Sequence, residues 1–258
     1  MKLGVCYGDP DTAQIAAAGF DYVEHPTAAL FGPDKTDDER RAARDAVLSA
    51  PLPVPVCNLF FPGDMKLVGP ERELDRAVEY ADAVFEELRA IGARVQVFGS
   101  GAARRVPDGY PQAKALDELK DLCRRVGPLA EKHGITVAME HLRAKECNIL
   151  TSLAETLEFV RQVNHPAVQV LADGFHMAQM NEPYEVIQSC ADRLVHVHVA
   201  DPETRHEPSA AGSDLRPLFA ALKAARYDGR LSLECSWQDM AGNLKSTHDM
   251  LMAQWDEA

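Results

Sequence analysis

Eight short β-branched runs alternate with eight amphipathic ones along this chain, and that alternation leaves few folds open. The strand-like runs are Leu3–Tyr7, Phe20–Glu24, Val54–Phe60, Arg94–Phe98, Ile135–Glu140, Ala167–Asp173, Leu194–Val199 and Leu231–Glu234. Helical patterns lie near 11–18, 37–49, 71–91, 112–133, 152–163, 183–192, 214–225 and 240–255. The third carries Leu74, Ala77, Val78, Ala81, Val84, Phe85, Leu88 and Ile91 on one stripe, the 3.6-residue period of a half-buried helix. Gly19, Gly92 and Gly134 follow helical patterns as stop signals, and Pro10, Pro70, Pro111 and Pro183 open or precede others.

Strict βα alternation forces a parallel sheet, because consecutive parallel strands need a crossover between them. Eight units in 258 residues give roughly 32 residues each, close to the ~30 of a βα unit. The count favours a single (β/α)8 TIM barrel over residues 1–258 rather than a doubly wound sheet. No G-x-G-x-x-G follows the first strand, and the Gly99-Ser100-Gly101 turn lacks the third glycine of a dinucleotide fingerprint. The widest loops, 25–36, 60–70, 99–111 and 200–213, all follow strands. In a barrel they belong to the C-terminal rim, where active sites form.

Composition narrows the function. Lys and Arg total 27 against 40 Asp and Glu, a formal charge of −13 that disfavours nucleic acid as a partner. The apolar runs are about a strand long, far short of the ~20 residues of a membrane span. The N-terminal apolar run meets Gly8-Asp9-Pro10 before a signal sequence could form. Six scattered cysteines without a C-x-x-C pair read as reduced thiols of a cytoplasmic protein.

The chemistry concentrates where the last four strands end. Glu140, Asp173, His198 and Glu234 share one parity within their strands, while Val137/Met139, Val170/Ala172, Val195/Val197/Val199 and Leu231/Leu233 hold the other and are expected to face the helices. All four polar residues then point into the barrel mouth. Three carboxylates converging in a low-dielectric mouth cannot all ionise without a counter-charge. Three carboxylates and an imidazole suit one divalent metal ion: Mn²⁺, Mg²⁺, Co²⁺ or Zn²⁺. Any one of these residues taken alone reads as a solvated rim group or a core histidine; four at one height do not.

Neighbouring residues offer substrate contacts. His176 lies just past Asp173, Arg143 and Glu146 follow Glu140, and Asp201, Arg205 and His206 follow the seventh strand. Tyr7, Glu24 and Asn58 end the first three strands. His196 is one layer deeper than His198 on the same face and is grouped with the substrate-contacting residues; orienting a ligand or filling the core are its alternatives. Arg104-Arg105 offers a place for an anionic substrate group, against a solvated loop.

These motifs resemble the xylose isomerase-like TIM-barrel superfamily, in its sugar isomerase/epimerase branch of ketose 3-epimerases and hydroxypyruvate isomerases. Glu140 with Glu146 six residues on, Asp173-Gly174-Phe175-His176-Met177, His196-Val197-His198 followed by Asp201 and Arg205, and Glu234 in Ser232-Leu233-Glu234-Cys235 carry the likeness, all in the C-terminal half. The resemblance implies that Glu140, Asp173, His198 and Glu234 hold the metal, that Glu140 and Glu234 are the acid/base pair, and that His176, Glu146 and Arg205 bind substrate. It also implies a family in which dimers and tetramers are common, which leaves a homo-oligomer open, while the sequence itself carries no interface signal. Arg205 stands seven residues past His198, one more than in those epimerases, and Pro208-Ser-Ala-Ala-Gly212 replaces their Pro-Gly-x-Gly segment.

The expected reaction is proton abstraction beside a carbonyl of a sugar or sugar-like keto-polyol, through a metal-bound enediolate, with two glutamates exchanging the proton. Return of the proton to the opposite face epimerises; return to the neighbouring carbon isomerises. Loss of a β-hydroxyl instead gives a dehydratase of inosose or dehydroshikimate type, which is the alternative. A phosphodiesterase like the apurinic endonucleases needs more histidines at strand ends, and a non-catalytic subunit would not need an intact acid/base pair.

Overall fold

Register between neighbouring strands, more than hydrophobicity, sets where each strand of this chain begins and ends. The computed structural model describes residues 1–9, 12–32, 35–209 and 212–258. Its strands are β1 (Lys2–Cys6), β2 (Tyr22–Pro26), β3 (Val56–Asn58), β4 (Val95–Phe98), β5 (Thr136–Glu140), β6 (Val168–Asp173), β7 (Leu194–Val199) and β8 (Arg230–Leu233). All neighbours pair in parallel in chain order, and β8 closes on β1. The expected (β/α)8 barrel is thus the observed one. Strand β2 lies two residues later than hydrophobicity suggests, because Gly4 pairs with Tyr22 and Cys6 with Glu24. Strand β3 is short at its start, where Pro53 and Pro55 lack the N–H a ladder needs.

The crossovers carry α1 (Ala13–Ala17), α2 (Thr27–Phe31), α3 (Asp37–Ser49), α4 (Leu74–Ala90), α5 (Gly101–Arg104), α6 (Gln112–His133), α7 (Leu153–Val163), α8 (Gly174–Gln179), α9 (Arg216–Ala224) and α10 (Met240–Glu257). The pattern at 183–192 is a 3₁₀ helix, Tyr184–Cys190. Local chemistry explains the ends. Thr36 and Glu39 form a reciprocal capping box on α3, Ser152 Oγ accepts the Glu155 N–H on α7, and Pro111 caps α6. Pro70 does not open a helix; α4 starts at Leu74. Pro10, expected ahead of the first helix, lies outside the described residues.

Two apolar layers follow from strand parity. Val137, Met139, Val170, Ala172, Val197, Val199, Leu231 and Leu233 pack outward with Phe85, Leu88, Leu119 and Leu122 of the helices. Tyr22, Val56, Val95, Val97, Ala138 and Leu171 fill the barrel interior. Val195 departs from the expected outward set and packs on the inner cluster. The register shifts there: Val170 pairs with Leu194 but Leu171 pairs with His196, so Val195 is the extra residue of a bulge. That shift brings both His196 and His198 to the inside.

The interior also depends on a missing side chain. A Cβ on Gly4 would lie 2.2 Å from Cε2 of Tyr22, so only glycine lets that ring cross the barrel. Among the described residues no helix is long and apolar enough to cross a membrane, and all six cysteines are free thiols. Gly4→Ala is expected to destabilise the barrel by about 1–3 kcal/mol through overpacking against Tyr22, read from the urea midpoint, and Gly4→Ala with Tyr22→Leu to recover part of the loss.

Candidate active site

The rim is built from strand ends and the residues just after them. Glu140 ends β5 and Asp173 ends β6; His198 is next to last in β7, and Glu234 follows β8, its N–H donating to the Val199 carbonyl at 3.0 Å. Register puts Asp173 beside His198 and His198 beside Ser232, so the shared parity read from the sequence becomes a shared wall. Gly99, which follows β4, gives the Glu140 carboxylate its room: a Cβ there would stand 2.2 Å from Glu140 Oε2.

Donor atoms of Glu140, Asp173, His176 and Glu234 lie within 4.8 Å of one another. Nδ1 of His198 borders the same cluster, 3.2 Å from Glu140 Oε1 and 3.7 Å from Glu234 Oε2. Either imidazole therefore has a nitrogen at the ring. Asp173 divides its oxygens: Oδ1 caps α8 by accepting the N–H groups of Phe175 (2.7 Å) and His176 (3.0 Å), while Oδ2 stands 3.7 Å from His176 Nε2. The backbone N–H of Arg143 donates to His176 Nδ1 at 3.3 Å, so a neutral His176 carries its proton on Nε2. That Nε2 is buried and has no hydrogen-bond partner among the described residues.

Crowding shows in the proton affinities. Burial and the Glu140 carboxylate push Glu234 up to about 8, against the pull of His198 and Arg205. Burial works the same way on Asp173, but His176, His198 and the capping N–H outweigh it and hold that carboxyl at about 2. His198 is raised well above its ordinary value: burial opposes the charge, and Glu24, Glu234 and Glu140 together overcome it.

A second arrangement lies directly beneath. Glu24 is fully buried. Its Oε1 accepts from His198 Nε2 at 2.9 Å; its Oε2 accepts from His196 Nε2 at 2.8 Å and from Ser232 Oγ at 2.6 Å. Tyr22 OH lies 2.9 Å from Ser232 Oγ and donates to it, since the serine proton is committed to Glu24. Burial raises the Glu24 carboxyl, yet the two histidines hold it well below the usual carboxylate range. His196, expected among the substrate-contacting residues, is held by Glu24. It is fully buried and bound to Glu24 a layer below the mouth, because the bulge and parity place it deeper than His198. Glu24 was legible only as a weak strand-end acid. The available signal was its parity, which matches Tyr22 and so points it inward.

The outer edge holds two guanidiniums. Glu146 Oε1 accepts from Arg143 Nε (2.7 Å) and Arg205 Nη1 (2.8 Å), and Arg205 Nη2 donates to Glu234 Oε2 (2.7 Å). Both arginines lie over the Phe175 ring, at 4.8 and 5.0 Å from its centroid. Arg205 has a left-handed backbone (φ 62°). Tyr7, half-buried, follows β1; Asn58, buried at the end of β3, turns Nδ2 toward Cys6 Sγ at 3.5 Å and leaves Oδ1 without a partner among the described residues. Arg104 is fully buried in α5 and donates to the Phe98 and Glu140 carbonyls (3.3 and 2.7 Å). Arg105 donates to the Glu146 carbonyl at 3.0 Å. Arg104→Ala, which strands two buried carbonyls, is expected to cost about 3 kcal/mol in urea unfolding, and Arg105→Ala within about 0.5 kcal/mol of zero.

The sequence profile described as xylose isomerase-like TIM barrel matches residues 12–254. A 3-dehydro-D-guloside 4-epimerase of Escherichia coli (strain K12) is 25% identical over 171 residues, 64% of this chain and 64% of that protein, so the chain spans less than two thirds of that relative. A ketose 3-epimerase of Arthrobacter globiformis is 27% identical over 250 residues, 91% of this chain and 83% of the relative. Among solved structures, a D-allulose 3-epimerase from Methylomonas sp. in complex with D-allulose has a TM-score of 0.83 at 20% identity, covering 98% of this chain and 97% of that one.

Proposed function

The chain belongs to the xylose isomerase-like TIM-barrel family, and from that premise we propose that it is a divalent-metal-dependent isomerase or epimerase acting on a sugar or sugar-like keto-polyol. The observation that carries this reading is the pair Glu140 and Glu234, two carboxylates of one cluster with Asp173 and His176. The cluster suits a hard divalent cation such as Mn²⁺, Mg²⁺, Co²⁺ or Zn²⁺. Three carboxylates need a counter-charge, and the raised Glu234 is the sign that the protein alone supplies too little.

Glu140, Asp173, Glu234 and His198 would hold the ion. His198 is favoured over His176 as the nitrogen donor by the hydrogen bonds: His198 spends Nε2–H on Glu24 and keeps Nδ1 for the ring, whereas His176 accepts at Nδ1 and keeps a donor at Nε2. An ion bound there supplies Lewis-acid polarisation of the substrate carbonyl and acidifies the neighbouring C–H.

The side chains do the rest. One of Glu140 and Glu234 removes the proton beside the carbonyl and the other returns one. Return to the opposite face inverts that carbon; return to the adjacent carbon interchanges aldose and ketose. His176 donates through Nε2–H to a substrate oxygen. Glu146 and the Arg205 that lies over Phe175 receive the next hydroxyls, and Tyr7 with the free Oδ1 of Asn58 serves the far side of the mouth. Six free thiols support a cytoplasmic setting.

A panel of ketoses, hydroxypyruvate and cyclic polyol ketones, supplied with Mn²⁺ in deuterated water and followed by NMR, tests the reading. The expected outcome is solvent deuterium at the carbon beside the carbonyl. A product lacking a hydroxyl would assign the protein to the dehydratases instead. Glu140→Gln and Glu234→Gln should each slow the exchange by about 10²–10⁴-fold, and wild-type exchange in either variant would end the two-glutamate mechanism.

Metal loading should also release protons. A carboxyl raised to about 8 is protonated near neutrality and must ionise to meet a cation. Calorimetry in buffers of different ionisation enthalpy should show at least one proton released per Mn²⁺ at about pH 7, and fewer as the pH passes about 8, where Glu234 is already ionised.

A further inference from the structure

Two imidazoles compete for one cluster, and something must decide which becomes the ligand. We propose that Glu24 makes this choice by fixing one proton of His198 on Nε2, so that Nδ1, beside Glu140 and Glu234, is the nitrogen that gives up its proton to become the ligand. The assignment rests on the metal-dependent reading above and adds a positioning residue to it.

The geometry supports the assignment in three ways. A carboxylate only accepts, so each nitrogen within hydrogen-bond distance of Glu24 must carry a proton. For His198 that nitrogen is Nε2, at 2.9 Å, which leaves Nδ1 as the atom that can shed its proton, 3.2 Å from Glu140 Oε1 and 3.7 Å from Glu234 Oε2. Second, Glu24 is not one of the four residues of that cluster; it stands in a neighbouring group with Cys6 and His198, and both its oxygens are engaged. Oε1 is committed to His198, and Oε2 to His196 and Ser232. Third, it cannot swing away. It sits inside β2, registered against Cys6 of β1 and Val56 of β3, and Tyr22 backs Ser232 from below. The opposite bond fixes the other imidazole: Arg143 N–H donates to Nδ1 of His176, which keeps its proton on Nε2 and suits it to donate to substrate. Carboxylate–histidine–metal arrangements fix tautomer and ring orientation, and losing the carboxylate typically weakens the metal by about 10–100-fold.

Glu24→Met keeps the length of the side chain and removes both acceptors. Titration calorimetry with MnCl₂ should show affinity about 10–100-fold weaker than wild type, in a protein with unchanged far-ultraviolet circular dichroism. In wild-type protein labelled with ¹⁵N-histidine and loaded with Zn²⁺, two-dimensional NMR should show His198 protonated at Nε2 and bound through Nδ1, with His176 protonated at Nε2.

A folded Glu24→Met that binds Mn²⁺ as wild type does, with only a lower melting temperature, would reduce Glu24 to a core residue and overturn the proposal. His198 protonated at Nδ1 would do the same. Should the variant not fold, the wild-type NMR result decides. Wild-type protein that takes up no Mn²⁺ would instead remove the metal-dependent reading, and this proposal with it.

Discussion

A closed parallel sheet has one inside, and each strand can give it only every second residue. Nearly everything in this site follows from that restriction. Glu140, Asp173, His198 and Glu234 meet because they share parity on adjacent strands, and β7 keeps that parity only through the bulge at Val195. Below them the same rule stacks Glu24, His196 and Ser232 on Tyr22. Gly4 opens the space that Tyr22 fills, so a backbone position far from the chemistry supports the column under the mouth.

The column matters because it is charged. A fully buried carboxylate is tolerated only when it is well supplied with donors. Glu24 receives three, from His196, His198 and Ser232, and stays ionised. The rim above is short of positive charge by comparison, and the strain falls on Glu234, which keeps its proton to about 8. Asp173 at about 2 and Glu234 at about 8 stand in one cluster.

The barrel and the four rim residues were readable from the chain because period-two alternation and a polar terminus leave a strong mark. Depth was only partly readable. Strand position already put His196 one layer beneath His198, but only the offset of neighbouring strands shows which side chains that layer meets. Glu24 was obscured by the same cause, since β2 runs two residues further than its β-branched run and turns an apparent rim acid into an interior one. Arg104 misled in another way: a charged residue in a glycine-containing loop normally meets water, but here two backbone carbonyls receive it inside the protein. Helices α2, α5 and α8, of four to six residues, are too short for periodicity to register.

Asp173 touches two tasks through one side chain. One oxygen fastens the first turn of α8, and the other faces the cluster beside His176. Any drift of that carboxylate therefore moves the imidazole mounted on the same turn. The inner half of the mouth behaves as a single casting, and its pieces cannot diverge one at a time over evolution. Glu146 and Arg205 hang on loops instead, and the adaptation of this scaffold to new substrates has its freedom there.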